Sequence, residues 1–163
     1  MDGPNMPHLG KRDRRLFGDM ASLADLQQMV VAFGESLGVD VHTFASNREG
    51  ELLEHVYATA AFTDGYVVDP GGLATVSQGW PHALIESRKP VVEVCFYNMV
   101  AQGEQSTFGA TVIGRIMGLR QYSYLAAILS LVLALDDESF LHPEAPSTET
   151  VRRQGTPYSF RLT

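Results

Sequence analysis

Apolar residues recur along the chain with two periods, one typical of helices and one of buried strands. From Leu23 to Leu37 they return every three or four positions, after Ser22 as N-cap and before Gly38 as a stop signal. Short β-branched runs, such as Val91–Val94, are typical of buried strands. The pattern predicts helices over about 22–37, 48–61 (capped by Asn47), 77–87 (with Pro81 in its first turn) and 122–135, and strands over about 39–45, 65–69, 90–95 and 110–117.

Strands that alternate with helices in this way predict βαβ units and a parallel sheet covered on both faces, which is the α/β class. Ligands of such sheets bind beyond the carboxyl ends of the strands. This rule places the loops 3–18, 46–50, 69–76 and 95–110 around one pocket. The sequence has neither a G-x-G-x-x-G turn nor a P-loop, so neither a dinucleotide nor a nucleoside triphosphate is indicated.

Composition narrows the classes of function. The 163 residues, 45% of them hydrophobic and 19% charged, suit one globular domain. A net charge of −7 excludes nucleic-acid binding driven by bulk charge. Cys95 is the only cysteine, which excludes an internal disulfide and a multi-cysteine metal site, and the histidines show no metal-ligand spacing. We therefore expect no metal and no cofactor.

The start of the chain and its longest apolar run bear on localisation. The first ten residues contain no apolar signal core. The longest apolar run, Leu125–Leu135, has 11 residues and contains a serine, which is too short to span a bilayer. We expect a cytoplasmic protein with no membrane segment.

Four short motifs occur in a familiar order: Gly3-Pro4-Asn5, residues 46–52, Pro70-Gly71-Gly72, and residues 90–94 followed by Asn98. Together they resemble the type II 3-dehydroquinate dehydratases, and the resemblance runs from about Gly3 to Leu135. It implies a flavodoxin-like three-layer sandwich, a small-molecule substrate, and a homo-oligomer built from trimers, up to a dodecamer.

The resemblance also assigns chemistry to positions, because these enzymes remove a proton next to a carbonyl, stabilise an enolate and expel a hydroxyl. Asn5 and Arg12 match the family's asparagine and catalytic arginine. Phe17 stands where the family has its tyrosine base, and Cys95 stands where it has its catalytic histidine. Glu93, which would orient that histidine, remains.

Further positions differ from the family pattern. Asp69 replaces an asparagine that holds a water, and His82 replaces an aspartate. Thr75 replaces a histidine, Phe96-Tyr97 replaces a carboxylate-gripping Ile-Ser pair, and the arginine of the later loop has no counterpart. The resemblance therefore describes a diverged member in which most catalytic residues are substituted.

These comparisons define a candidate site, with several roles left open. Asp69 and His82 are a candidate acid–base pair, although Asp69 also suits a turn and His82 a solvent-facing or subunit-contacting position. Cys95 is either a nucleophile or an inert buried residue, and Tyr97 either an acid–base group or a wall. We expect catalytic roles for Arg12, Asp69, His82 and Tyr97, and substrate binding by Asn5, Phe17, Gly71, Gly72, Thr75, Cys95, Phe96 and Asn98.

Three functions follow from the substituted site. The first is an enzyme repurposed for dehydration, isomerisation or cyclisation of a more apolar carbonyl compound in specialised metabolism, through an enol or enolate. We favour it because the pocket residues are exchanged for other functional types rather than for small neutral ones. The alternatives are a genuine 3-dehydroquinate dehydratase and a non-catalytic ligand-binding or assembly protein.

The two ends of the chain raise a question about the fold. The family has an apolar strand immediately before Gly-Pro-Asn, whereas this sequence reads Met1-Asp2 at that place. Residues 1–135 therefore resemble a dehydroquinase domain without its first strand, and 136–163 form a C-terminal extension. The alternation in 158–162 suggests that this extension docks as a strand in or near the gap.

Overall fold

Three short apolar runs form a parallel sheet in the computed structural model, which describes residues 1–142. β1 (Tyr66–Val68) pairs with β2 (Val91–Cys95), and β2 pairs with β3 (Gly114–Met117). Tyr66 lies opposite Val91, and Cys95 lies opposite Met117. The strands are short and parallel, so their carboxyl ends meet at one edge of the sheet, as predicted.

The segment Met1–Gly3 occupies the place of the first strand. Asp2 forms parallel bridges with Ala45 on one side and with Asp69 on the other. Its N–H donates to the Phe44 carbonyl at 2.9 Å, and its own carbonyl accepts from the N–H of Ser46 at 3.0 Å. The order across the sheet is thus Ala45, Asp2, β1, β2, β3, which is the flavodoxin-like order.

Six α-helices and four 3-10 turns connect these strands within residues 1–142. Ser22 caps α2 (Leu23–Ser36) as predicted, since its Oγ accepts a hydrogen bond from the N–H of Asp25. The prediction that Asn47 caps the next helix is wrong. Arg48 is the residue before α3 (Glu49–Thr59), and the Asn47 side chain accepts a hydrogen bond from the N–H of Asn5 instead. The helices are α1 (Arg14–Phe17), α2 (Leu23–Ser36), α3 (Glu49–Thr59), α4 (Gly79–Ser87), α5 (Tyr122–Asp136) and α6 (Glu138–Leu141), and the 3-10 turns are Met6–Lys11, Gly71–Leu73, Val100–Gln102 and Thr107–Ala110.

Alternate residues of β2 face two separate cores, which confirms the three-layer arrangement. Val92 and Val94 pack with α2 and α5, whereas Val91 packs with α3 and α4. Burial of both faces explains why β2 is apolar almost throughout, Glu93 excepted.

Two predictions for the ends of the sheet fare differently. The strand predicted over 39–45 is largely wrong. Within this segment only Ala45 forms a bridge, and its partner is the single residue Asp2. The strand predicted over 158–162 lies outside the described residues and stays a prediction.

Within residues 1–142, no helix combines the length and apolar character needed to cross a membrane.

Candidate active site

The carboxyl ends of the strands enclose a cavity of about 90 Å³. It lies between the N-terminal loop, the loop after β1 and the loop after β2, as the topology predicts. Eight of the twelve site residues predicted from the sequence line this cavity. The lining residues are Asn5, Arg12, Phe17, Asp69, Pro70, Gly71, Gly72, Ala74, Cys95, Tyr97 and Met99.

The floor of the cavity depends on two loops in close contact. Asn5 adopts a left-handed conformation, with φ of 74°, and its N–H donates to Asn47 Oδ1 at 2.9 Å. Gly71 also has positive φ, and a Cβ at this position would collide with the carbonyl oxygen of Pro4. The Gly-Pro-Asn and Pro-Gly-Gly motifs therefore hold each other in place, which is a physical reason for glycine at position 71.

Arg12 lies across one wall of the cavity. Its guanidinium carbon is 3.6 Å from the centroid of the Phe17 ring, a cation–π contact, and its Nη1 lies 3.6 Å from Met6 Sδ. Partial burial lowers the pKa of Arg12, while the negative charge of Asp69 acts in the opposite direction. The half-buried guanidinium makes this wall suitable for a polar, anionic ligand group.

Asp69 lies at the end of β1 and is 2% exposed. Its Oδ1 accepts from the N–H of Gly71 at 2.9 Å, and its Oδ2 lies 3.0 Å from the hydroxyl oxygen of Tyr124. The same hydroxyl oxygen lies 2.6 Å from Asp2 Oδ1. Burial first, and then the nearby charge of Asp2, raise the pKa of Asp69 to about 7, whereas the contacts with Gly71, Tyr124 and Arg12 act in the opposite direction. A group with this pKa suits proton transfer near neutrality.

Tyr97 and Cys95 also line the cavity, and the Tyr97 ring packs edge-on against that of Phe17. The Tyr97 hydroxyl donates to Glu104 Oε2 at 2.6 Å, and burial together with this hydrogen bond raises the pKa of Tyr97. Burial also raises the pKa of the Cys95 thiol, to about 12. Neither group ionises near neutrality, so Tyr97 acts as a hydrogen-bond donor, and the geometry favours the inert interpretation of Cys95.

Glu93 is fully buried on β2, and its charge is paired within the sheet. Arg115 of β3 donates from Nε to Glu93 Oε2 at 2.6 Å. The family resemblance implies that Glu93 orients a histidine, but position 95 holds a cysteine. In this chain Glu93 holds Arg115 instead.

Four predicted site residues do not line the cavity. His82 on α4, Thr75 and Asn98 are exposed, and the Asn98 side chain accepts from the N–H of Ala101. Phe96 is fully buried, with its ring 5.8 Å from that of Phe17, so it supports Phe17 from behind. Asp69 and Arg12 thus converge in one cavity, and His82 does not join them within one chain.

Three further residues, Asp2, Tyr124 and Glu104, contact the site without being predicted from the sequence. Asp2 directly precedes the Gly-Pro-Asn motif, and Tyr124 directly precedes the apolar run Leu125–Leu135 within α5. A buried tyrosine hydroxyl needs a hydrogen-bond partner, so Tyr124 was the one detectable signal. Among residues 1–142, no group of three His, Cys, Asp or Glu side chains is placed to hold a metal ion.

Comparisons with known proteins agree with this fold. A catabolic 3-dehydroquinase of Neosartorya fischeri is 31% identical over 144 residues, which cover 86% of this chain and 95% of that protein. A 3-dehydroquinate dehydratase of Thermotoga maritima is 35% identical over 131 residues, with coverage of 78% and 89%. The crystal structure of the type II dehydroquinase of Propionibacterium acnes superposes with a TM-score of 0.75 at 27% identity, with coverage of 83% and 93%. The family model described as dehydroquinase class II matches residues 1–132, and the chain belongs to this family.

Proposed function

We propose that this chain is a lyase of the dehydroquinase type, which dehydrates a carboxylated β-hydroxy ketone such as 3-dehydroquinate. The observation that carries the proposal is that Arg12 and Asp69 line one cavity at the carboxyl ends of the strands. The names of the relatives, 3-dehydroquinase and 3-dehydroquinate dehydratase, support the same substrate class.

In the proposed mechanism, Asp69 performs the proton transfers. Its ionised carboxylate removes a proton from the carbon next to the substrate carbonyl, and the electron pair moves onto the carbonyl oxygen as an enolate. The guanidinium of Arg12 stabilises the negative charge of the bound substrate. When the enolate collapses, the β-hydroxyl leaves and takes the proton back from Asp69, so that the products are an enone and water and Asp69 is ionised again.

Phe17 indicates how this member departs from the family pattern. We propose that the chain has diverged at its catalytic positions, because a phenyl ring cannot exchange a proton. Here Phe17 instead supports Arg12, through the contact of 3.6 Å between guanidinium and ring. Proton transfer is thereby left to Asp69.

A second candidate function is favoured by the apolar part of the wall. Phe17, Ala74 and Met99 contribute apolar surface to the cavity, with Tyr97 beside them. These side chains suit a carbonyl compound less hydroxylated than 3-dehydroquinate, processed through the same enolate in specialised metabolism. Such an enzyme has little activity with 3-dehydroquinate, and Phe17→Tyr increases that activity by providing a phenol at the cavity wall.

The test is an assay with purified protein and 3-dehydroquinate, in which the conjugated enone product is followed by its ultraviolet absorbance. We expect turnover by the natural chain and a loss of at least about 100-fold in Asp69→Asn. Asp40→Asn, which removes an exposed carboxylate outside the cavity, is the matched control. No turnover by the natural chain, with gain in Phe17→Tyr, supports the second candidate. No turnover by either supports a binding role.

We further propose that the chain acts in the cytoplasm as a homo-oligomer built from trimers, up to a dodecamer. The support within the chain is an apolar surface on α5, where Tyr122, Leu129 and Leu133 lie on one side of the helix and are exposed by 61%, 41% and 59%. An exposed apolar surface of this kind is typical of a subunit interface.

A further inference from the structure

The strongest unexplained feature is a buried tyrosine placed between two buried carboxyl groups. Tyr124, Asp2 and Asp69 are exposed by 4%, 4% and 2%. They come from three separate parts of the chain: α5, the segment in the place of the first strand, and the end of β1. Only Asp69 among them lines the cavity, so Tyr124 and Asp2 lie behind it.

The distances require more protons than the tyrosine alone supplies. The hydroxyl oxygen of Tyr124 is 2.6 Å from Asp2 Oδ1 and 3.0 Å from Asp69 Oδ2. A hydroxyl has one proton and donates it to one acceptor. If both carboxyls were ionised, the tyrosine could donate its proton to only one of them. The oxygen of the second carboxylate would then lie at hydrogen-bond distance from the tyrosine oxygen with no proton between the two atoms. For both contacts to be hydrogen bonds, one carboxyl must be protonated and donate to the tyrosine oxygen.

We propose that Asp2, Tyr124 and Asp69 form a proton relay that holds one acid proton besides that of the tyrosine, and that Asp2 and Tyr124 are positioning residues for Asp69. The relay has two forms. In one, Asp2 is protonated and donates to Tyr124, which donates to ionised Asp69. In the other, the Asp2 proton has moved to the tyrosine oxygen and the tyrosine proton has moved to Asp69, while the total charge stays at −1.

The surroundings of the relay are consistent with one shared proton. Burial raises the pKa of Asp2, as it does that of Asp69, and the charge of Asp2 further raises the pKa of Asp69. The charged and titratable groups that face the relay are Arg12 from the N-terminal loop, Cys95 from β2, and the amino group of Met1 near Asp2. The amino group of Met1 favours the form in which Asp2 is ionised and Asp69 carries the proton, whereas Arg12 favours the form in which Asp69 is ionised and Asp2 carries it.

The consequence for the site rests on the proposed function. Asp69 becomes the ionised base when its proton passes through Tyr124 to Asp2, without contact with bulk water. When it then takes the substrate proton, the relay is neutral and holds a proton that it can give to the leaving hydroxyl. The relay thus sets the pH at which Asp69 changes from acid to base. Asp2 and Tyr124 perform this role without lining the cavity that would hold the substrate.

The relay can be tested without any substrate, by NMR titration of protein labelled with carbon-13 at the aspartate side-chain carboxyls. Asp2→Asn and Asp69→Asn assign the two buried signals. In the natural chain we expect two widely separated midpoints, because the singly protonated pair is stabilised by the bridging hydroxyl. Tyr124→Phe removes the bridge, and the two midpoints should then move toward each other by about one pH unit or more.

Tyr66→Phe is the matched control, because Tyr66 is also buried and its hydroxyl contacts Thr59 and the Val56 carbonyl rather than a carboxylate. It should leave both midpoints unchanged. In Asp2→Asn, loss of the neighbouring negative charge should lower the midpoint of Asp69. Two independent midpoints near pH 4, or midpoints that Tyr124→Phe and Tyr66→Phe change equally, would overturn the relay.

Failure of the relay and failure of the proposed function are distinguishable in these experiments. Titration as expected, without turnover of 3-dehydroquinate, retains the relay and rejects the substrate. Turnover by the natural chain, with both carboxyls titrating independently, retains the lyase and rejects the relay. In an active enzyme, Asp2→Asn should move the acidic limb of the pH–rate profile downward, which a merely structural role would not do.

Discussion

Asp69 is the residue on which the chemistry of the cavity depends, and its burial makes its charge costly. It is 2% exposed, between Asp2, Tyr124 and the N–H of Gly71. Burial raises its pKa in the folded chain to about 7, from an ordinary value of 3.8. The folded state therefore binds more protons than the unfolded state between these two pH values. Stability contributed by this group consequently falls as the pH rises from about 4 to about 7.

The first prediction follows from this sign. Asp69→Asn imitates the protonated side chain, so above pH 7 it should be more stable than the natural chain, by roughly 5 °C in Tm. At pH 4 to 5 the two should unfold within about 2 °C of each other. Thermal unfolding followed by circular dichroism at several pH values measures the difference. A difference that does not change with pH would contradict a raised pKa, and Asp40→Asn should show none.

The second prediction concerns Cys95. Its pKa is raised to about 12 and it is 7% exposed, so the thiolate is scarce and poorly accessible at pH 7.5. The folded protein should react with a thiol-specific reagent at least about 100-fold more slowly than the protein unfolded in guanidinium chloride. Rapid modification of the folded protein would restore the interpretation of Cys95 as a nucleophile.

The residues of the site differ in how far the sequence could predict them. Asp69 and Arg12 could be identified because Asp69 directly precedes the Pro-Gly-Gly motif and Arg12 follows the Gly-Pro-Asn motif. Tyr124 could not, since its partner Asp2 lies 122 positions away and the periodicity of α5 marks it only as a core residue. His82 was assigned from the resemblance alone, and the spacing of α4 could not show that it faces solvent.

At the scale of elements, β2 and β3 are joined by a buried ion pair as well as by their ladder. Glu93 is fully buried, and Arg115, whose side chain is 27% exposed, donates to it at 2.6 Å. Removing one partner leaves an uncompensated charge inside the fold, whereas removing both does not.

The third prediction is therefore a comparison of single and double variants. Arg115→Gln should lower the free energy of unfolding by about 3 kcal/mol, because it leaves Glu93 buried without a cation. The double variant Glu93→Gln, Arg115→Gln should recover most of this loss. Urea denaturation measures both free energies. Additive losses in the double variant would show that the pair is not coupled.

The pattern of elements was predicted better than their lengths. Helical periodicity located α2, α3, α4 and α5 within a few residues, because their apolar faces repeat over several turns. The predicted strand over 39–45 shortened to the single paired residue Ala45. Strand length depends on a partner elsewhere in the chain, and local pattern does not contain that information.

At the scale of the whole molecule, the apolar side of α5 is the clearest indication of assembly. Leu129 and Leu133 are exposed by 41% and 59%, although they belong to the most apolar of the helices described in residues 1–142. The fourth prediction is that light scattering after size exclusion gives a mass of three subunits or a multiple of three. A monomer at working concentration would refute it.

A paired variant tests whether α5 is the surface responsible. Leu129→Gln, Leu133→Gln should reduce the mass of the particle or increase its dissociation on dilution, because it removes apolar area from the proposed interface. Phe62→Gln is the control, since Phe62 is 72% exposed outside the helices. An equal effect of both variants would point to general loss of solubility instead of a specific interface.

The fifth prediction concerns the pH dependence of kcat/KM for dehydration of 3-dehydroquinate, and it tests most directly the claim that Asp69 transfers the proton. Because the ionised carboxylate is the base and the pKa of Asp69 is raised to about 7, activity should rise with pH and reach half its maximum near pH 7. Asp69→Asn should lose that limb together with its activity. A profile that is flat from pH 5 to 9, or turnover retained in Asp69→Asn, would contradict the account.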